Sequence, residues 1–553
     1  MHATSLFFYK TLVTAAIASV CPILGPVFPA PKELHLSTTF QDTLGRIHSD
    51  IEKVLVSGNS THGSLNTNDT YSIQIFSTTS GKPLLDYHRR GPAILGNRTV
   101  DGNSVYRIAS VSKLLTVYLL LLEAGEKVFN DKVTKYLPEL EGAASWDDIT
   151  IGSLAGYLGG ITAELFDNSA LPGGDIGAFF PDAFPPLSAN ETSGCTYGPS
   201  GCTRALFIDN LLDRRPAYLP NTTPAYSNAA FAALGLIAEV IANSSFDEIL
   251  HSLLVTPLQL NRTTSSAPSD LTNAVIAGNA SLSDWNIDLS DATGAAMGGI
   301  FSTPNDLSAI GRAILSSSLL PSSTTRSWLK PTSFTSSLLG ATGRPWEIYR
   351  AVTNPQHNRV VDLYNKGGNL SGYGANLVLI PDFDVGFVVM MAGDAGTVGT
   401  VISGVITDGL LPALDEAARL QADAAFAGTY VATNGLNSTV KLTTTSGIPG
   451  LSIEEWTSNG TDLRRTAWWD DVERFQMYPT NIMSGDGKEV SWRSSYVSLP
   501  DTGSPFDACP SCYAVDRPTY GIYGLDEYVF HLDKDGKAWD LEPKAQRIVL
   551  ERV

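Results

Sequence analysis

The chain has 553 residues, 43% hydrophobic and 17% charged, a composition that builds a packed core and excludes a disordered chain. Its length exceeds one ordinary domain and predicts two folded units. A formal net charge of −19 repels polyanions, so no nucleic acid and no anionic membrane surface is expected as a partner.

The opening stretch MHATSLFFYKTLVTAAIASVCPILG places Lys10 before an apolar run over 12–20, and Ala16-Ile17-Ala18 has the small-x-small form of a cleavage site. This predicts a signal peptide over 1–20 and a secreted protein. A membrane anchor reaching residue 27 is the rival reading, which Pro22, Gly25 and Pro26 interrupt. Sequons at Asn59, Asn68, Asn97, Asn190, Asn221, Asn243, Asn261, Asn279, Asn437 and Asn459 agree with export and predict a glycoprotein. A further sequon begins at Asn369. Beyond Cys21, beside the signal, the cysteines form two close pairs, Cys195 with Cys202 and Cys509 with Cys512. In an exported chain these are expected as two small-loop disulfides.

Residues 40–56 have helical periodicity. Alternation over 71–76, followed by Ser80-Gly81-Lys82, predicts a β-hairpin. A strongly apolar helix is expected from Ser110 onward, and at about a dozen residues its apolar run is short for a bilayer, so no stable membrane insertion is expected. ITIGSLAGYLGGI, residues 149–161, predicts a helix ending at its glycines. Residues 167–215 turn Pro-, Gly- and Ser-rich and read as an insertion or lid beside a site. An amphipathic helix is expected over 228–242, two strands over 375–380 and 385–391, and a long helix over 410–425. Helices mixed with antiparallel hairpins predict an α/β (α+β) layered domain over 40–425. From 426 to 553, short alternating strands split by turns predict a C-terminal all-β sandwich or barrel.

The chemistry is narrowed by exclusion. The chain has no G-x-S-x-G elbow, no H-E-x-x-H and no G-x-x-x-x-G-K-S/T loop, and its eight histidines are scattered. Nothing calls for a metal or an organic cofactor. Three motifs remain. Ser110 and Lys113 open the apolar helix three residues apart, a spacing at which a lysine reaches the serine hydroxyl. Burial lowers a lysine pKa and makes it a proton acceptor for a serine nucleophile. The alternative is an ordinary helix start, and a second S-x-x-K at Ser327 to Lys330 shows how weak the spacing is alone. Tyr226-Ser227-Asn228 precedes the 228–242 helix. A tyrosine near a lysine ammonium ionises more easily and can serve as a base, and the Asn228 amide can hold both the lysine and a substrate. Lys366-Gly367-Gly368 lies where a strand meets glycines, and the N–H of Asn369 could donate to an oxyanion beside that of Ser110.

In the order S-x-x-K, Y-x-N, K-x-G, these motifs make the sequence resemble the serine β-lactamase and penicillin-binding-protein superfamily, in its class C and esterase-like branch. FNDKVTKYLPEL, ITIGSLAGYLGGI and KGGNLSGYGANLVLIPDFDVGFVVMMAG agree with the same family, over about residues 40–418. The sequon-rich chain with a β-rich tail is similar to fungal secreted β-lactamase-like proteins. The resemblance implies a β-lactamase/transpeptidase-like domain, an antiparallel sheet flanked by helices. It implies Ser110 as acylated nucleophile, Lys113 and Tyr226 sharing proton transfer, and Asn228 positioning Lys113 and substrate. It implies that Lys366 supplies positive potential to a substrate carboxylate, and that the Ser110 and Asn369 N–H groups form the oxyanion hole. A glycan on Asn369 would crowd that hole, so Asn369 is expected to be unmodified. The third motif lacks the hydroxyl residue common between Lys and Gly, which weakens the case for antibiotic hydrolysis. The reading is a secreted serine hydrolase acting through an acyl-enzyme on a small-molecule ester, amide or lactam. An acyltransferase using the same serine and a non-catalytic binding protein are the alternatives.

Overall fold

The computed structural model describes residues 19–20, 22–95, 99–143, 145–165, 180, 183–185, 187–188, 191–195, 202–278, 284–354, 359–393, 398–465, 474–496, 498–499 and 511–553. Residues 1–18 of the predicted signal, Asn97, Asn190, Asn279, Cys509 and most of 167–201 lie outside them. Contacts divide the chain into two units. The larger is Pro31–Ala351 with Val361–Leu414; the other is Val352–Val360 and Asp415–Val553 with the described residues up to Ala30.

The larger unit is built on an antiparallel eight-stranded sheet. Its strands are β1 (Thr70–Ser77), β2 (Leu85–Arg89), β3 (Ser333–Phe334), β4 (Gly340–Thr342), β5 (Glu347–Asn354), β6 (Arg359–Leu370), β7 (Tyr373–Ile380) and β8 (Val385–Ala392), in the spatial order β2-β1-β8-β7-β6-β5-β4-β3. Every residue of β1, β7 and β8 is buried, which is why YGANLVLI and VGFVVMMA are nearly continuous apolar runs rather than alternating ones. Both faces are covered. Helix α5 (Pro304–Leu315) sets Gly311 against Phe76 and Leu377 on one face. On the other, the Asn376 amide donates to Ser403 of α6 (Val398–Phe426) at 3.2 Å.

Helix α1 (Thr38–Ser57) buries Phe40, Leu44, Ile47, Ile51 and Leu55 at the expected spacing. Helix α2 (Ser112–Ala124) is buried from Ser112 to Leu121 and helix α4 (Asn228–Ala242) from Ala229 to Ala238, so both are apolar all round and run through the core. They pack on each other and on a π-turn, Ala295–Gly299.

Two expectations change. The helix over 149–161 spans only Ile151–Ala155, because Gly156 closes it and Tyr157 takes a left-handed φ of 64°. The irregular 167–215 segment contains helix α3 (Arg204–Asp213), started by the Thr203 side chain accepting from Leu206 N and anchored by buried Phe207, Ile208 and Leu211. Cys195 and Cys202 form a disulfide with Cα atoms 4.4 Å apart. Among the described residues no single helix is long and apolar enough to cross a membrane, and no cluster of metal-ligating side chains stands out.

The second unit carries an all-β barrel. Its strands are β9 (Gly428–Ala432), β10 (Thr439–Thr443), β11 (Leu451–Ser458), β12 (Gln476–Met483), β13 (Glu489–Ser495), β14 (Glu527–Leu532), β15 (Ala538–Pro543) and β16 (Leu550–Arg552). Each pairs antiparallel with the next, and β16 pairs with β9, which closes an eight-stranded up-and-down ring. Tyr430, Trp456, Met477, Trp492, Tyr528, Phe530 and Leu541 are buried, as befits a small barrel filled by side chains.

Gly235 is where α4 meets the π-turn: a Cβ there would stand 2.1 Å from the Ala292 carbonyl oxygen and 2.7 Å from the Ala296 Cβ. Gly235→Val is therefore expected to cost about 1–3 kcal/mol through overpacking. Thermal unfolding checks this against Gly81→Val, where no atom lies within 4 Å and the midpoint should stay put.

Candidate active site

Ser110 stands on a 3-10 turn, Ala109–Val111, between the short strand Tyr106–Arg107 and α2. Ala109 is held at a φ of 47°, a left-handed conformation that costs a non-glycine residue about 1–3 kcal/mol. The surroundings impose it. On one side the segment 296–302 is stitched to 106–116. Tyr106–Arg107 pairs with Phe301–Ser302, Ile108 N donates to Ile300 O at 3.1 Å, Ile300 N donates to Ser112 Oγ at 3.1 Å, and Thr116 Oγ1 donates to Ala296 O at 2.8 Å. On the other side β6 passes so close that a Cβ on Gly368 would lie 2.3 Å from Ile108 O and 2.8 Å from Ser110 N. Only glycine fits there.

The serine is not a helix cap. Its Oγ accepts hydrogen bonds from Lys113 Nζ at 2.9 Å and from the Tyr226 hydroxyl at 2.7 Å. Lys113 is fully buried, and its Nζ also donates to the Met297 carbonyl, which the π-turn directs at it. No described carboxylate stands within ion-pair distance of this amine. Burial, with help from the Lys366 charge, holds the Lys113 pKa well below the usual lysine value; Glu164 and Glu347 oppose the shift from farther off. The Nζ lies 5.1 Å from the centre of the Tyr226 ring and 5.6 Å from that of Phe231.

The S-x-x-K at Ser327 makes the contrast. Ser327 donates instead to Glu126, and both Ser327 and Lys330 are exposed. The spacing is the same; the burial is not.

The Tyr226-Ser227-Asn228 tripeptide spends each residue differently. Ser227 caps α4, accepting from Ala230 N at 2.9 Å and donating to Thr162 O at 2.7 Å. That fixes Tyr226 over Ser110, with its ring stacked on Tyr157 at 5.5 Å between centres. The Tyr157 hydroxyl donates to Pro345 O at 2.8 Å. Tyr226 is 42% exposed. The expectation that the tyrosine ionises more easily does not hold: burial raises its pKa, the bond to Ser110 opposes this weakly, and Glu347 and Glu164 raise it further. The Asn228 amide was expected to hold Lys113. Instead its Nδ2 donates to Glu164 Oε2 at 2.7 Å.

Lys366, Gly367, Gly368 and Asn369 lie in register along the end of β6, opposite Leu377, Asn376, Ala375 and Gly374 of β7. Lys366 is 1% exposed and donates to Glu347 Oε1 at 2.5 Å and to Gly367 O at 2.7 Å. Its Nζ is 5.4 Å from the Tyr226 ring centre. Asn369 is exposed at the strand end. The structure thus brings Ser110, Lys113, Tyr226, Lys366 and Gly368 together. It adds four groups that sequence reasoning missed: Glu164, Glu347, Tyr157 and the Met297 carbonyl. None belongs to a short motif; only strand register and chain folding place them.

Comparison with known proteins gives the family. A sequence model of the family described as Beta-lactamase matches residues 67–402. The chain belongs to the β-lactamase family. A model described as "Beta-lactamase-like-like, C-terminal domain" matches 418–553. The chain is 29% identical over 578 aligned positions to a beta-lactamase-like protein of Arthroderma benhamiae, covering 95% of each. It is 28% identical over 510 positions to probable hydrolase clz13 of Cochliobolus lunatus, covering 83% of this chain and 80% of that one. Among solved structures, a class C β-lactamase from Rhodobacter sphaeroides aligns at 16% identity and a TM-score of 0.49, covering 66% of this chain and 99% of that one. The larger unit has the β-lactamase-like fold, and the barrel lies within the residues matched by the C-terminal domain model.

The buried Lys113 makes a stability prediction with a definite sign. Its folded-state pKa lies below its unfolded one, so the unfolded chain binds more protons and wild-type stability falls as pH drops through that window. Lys113→Met removes this term. The thermal midpoint of the variant relative to wild type should be higher at about pH 6 than at about pH 10, near the ordinary lysine range. A pH-independent difference would count against the depressed pKa.

Proposed function

We propose that the protein is a serine hydrolase that works through an acyl-enzyme on Ser110. The observation that carries this is the Ser110 Oγ held between the buried Lys113 amine at 2.9 Å and the Tyr226 hydroxyl at 2.7 Å. Family membership supports hydrolysis, and relatives bear the names β-lactamase-like protein and probable hydrolase.

The two pKa directions divide the labour. Lys113, held neutral by burial, accepts the Ser110 proton as Oγ bonds to the substrate carbonyl carbon. Tyr226, held protonated, gives its hydroxyl proton to the leaving group as the scissile bond breaks, and recovers one from Lys113. Net, the serine proton departs on the leaving group. Water then attacks the acyl carbon by the reverse sequence. The N–H groups of Ser110 and Asn369 serve the oxyanion, with Gly368 keeping β6 close enough for both. We also propose export, supported by the sequons at Asn59, Asn68, Asn221, Asn243, Asn261, Asn437 and Asn459, all exposed.

The test is intact mass after exposure to a neutral alkyl fluorophosphonate. One adduct is expected, mapped to Ser110 and missing from Ser110→Ala. Its rate should rise with pH as Lys113 loses its proton and level off well short of about pH 10.4, where a free lysine titrates. Folded wild type that takes no adduct, or Ser110→Ala that keeps it, sinks the proposal.

A further inference from the structure

The Glu347 carboxylate occupies the corner of the cleft where Lys366 would meet a negatively charged substrate. Its Oε1 accepts from Lys366 Nζ at 2.5 Å, and its Oε2 accepts from Gly367 N at 3.0 Å and Asn365 Nδ2 at 2.8 Å. Lys366 has three donors. One goes to Glu347, one to Gly367 O, and the buried Nζ faces the Tyr226 ring at 5.4 Å with 1% of the side chain exposed. An incoming carboxylate finds this ammonium already engaged.

The same contact explains the missing hydroxyl residue of the third motif. A Cβ at Gly367 would stand 3.3 Å from Glu347 Oε2 and 3.1 Å from Asn376 Oδ1. A threonine or serine there would press on the carboxylate that Gly367 N–H binds. Glycine and glutamate are therefore a matched pair. A second carboxylate, Glu164, faces the site from the Asn228 side, and the charges of both acids reach Lys113 and Tyr226.

We propose that Glu347 acts as a built-in anion that sets specificity: the enzyme takes uncharged esters and rejects substrates bearing a carboxylate near the scissile bond, as penicillins do. This rests on the acyl-enzyme reading of Ser110. Like charges brought together in a partly enclosed cleft cost more than they would in water, whereas a neutral ester pays no such cost.

The test uses the full chain and two p-nitrophenyl esters, the neutral butyrate and the anionic hemiglutarate, read as kcat/KM. Wild type should favour the butyrate by at least about tenfold, and about 0.5 M salt should shrink that ratio by screening. Glu347→Gln should narrow it mainly by raising kcat/KM for the anionic ester. Equal use of both esters by wild type overturns the inference, as does a Glu347→Gln ratio that stays unchanged. If Glu347→Gln does not fold, the wild-type ratio and its salt dependence decide. Fluorophosphonate labelling separates the two claims. Labelled Ser110 without charge discrimination overturns the specificity alone; no labelling and no hydrolysis of either ester overturns the acyl-enzyme reading with it.

Discussion

The amine of Lys113 is buried with a serine hydroxyl and a main-chain carbonyl as its hydrogen-bond partners. A lysine so placed is costly, because burial removes it from bulk solvent and no described carboxylate pairs with it. The fold around it is arranged to bear that cost. Helix α2 must be apolar on every side to enclose the amine, α4 must pack beside it, and the π-turn must present the Met297 carbonyl at the right place. Gly235 lets α4 approach that turn, and Gly368 lets β6 approach the serine. Destabilising the charged form of one side chain is what turns an ordinary helix start into a proton acceptor.

The site's polarity follows from the same source. One lysine is pushed toward neutrality by burial, while the other, Lys366, is fixed beside a carboxylate. Tyr226 is pushed the opposite way and holds its proton. Two groups touching one hydroxyl with proton affinities displaced in opposite directions are a natural acceptor and donor, and neither direction comes from the residue type.

Much of the fold was legible because its signals are local and periodic. The α1 pattern, the α4 start at Ser227, the β7–β8 hairpin and the separate character of the last 128 residues all appear as spacing. The 149–161 helix was overestimated because its glycine stop and the left-handed Tyr157 come early. Strand β15 inverts the usual pattern, with Trp539 exposed and Asp540 buried against His531, so alternation alone does not mark it. At the site, the motif residues were legible and their partners were not. Glu347 reaches Lys366 from the neighbouring strand, and Glu164 reaches Asn228 across 64 residues. Such pairings are set by register and chain crossing, which no short motif encodes.

The most direct test of the account is the titration of Lys113 itself, followed by the pH-dependent carbon-13 shift of its Cε in lysine-labelled protein and assigned by comparison with Lys113→Met. The account predicts one lysine resonance with a midpoint well below those of the other lysines. If Lys113 titrates with the rest, near the ordinary value of about 10.4, the amine is a charged structural group, and the division of roles between Lys113 and Tyr226 is wrong.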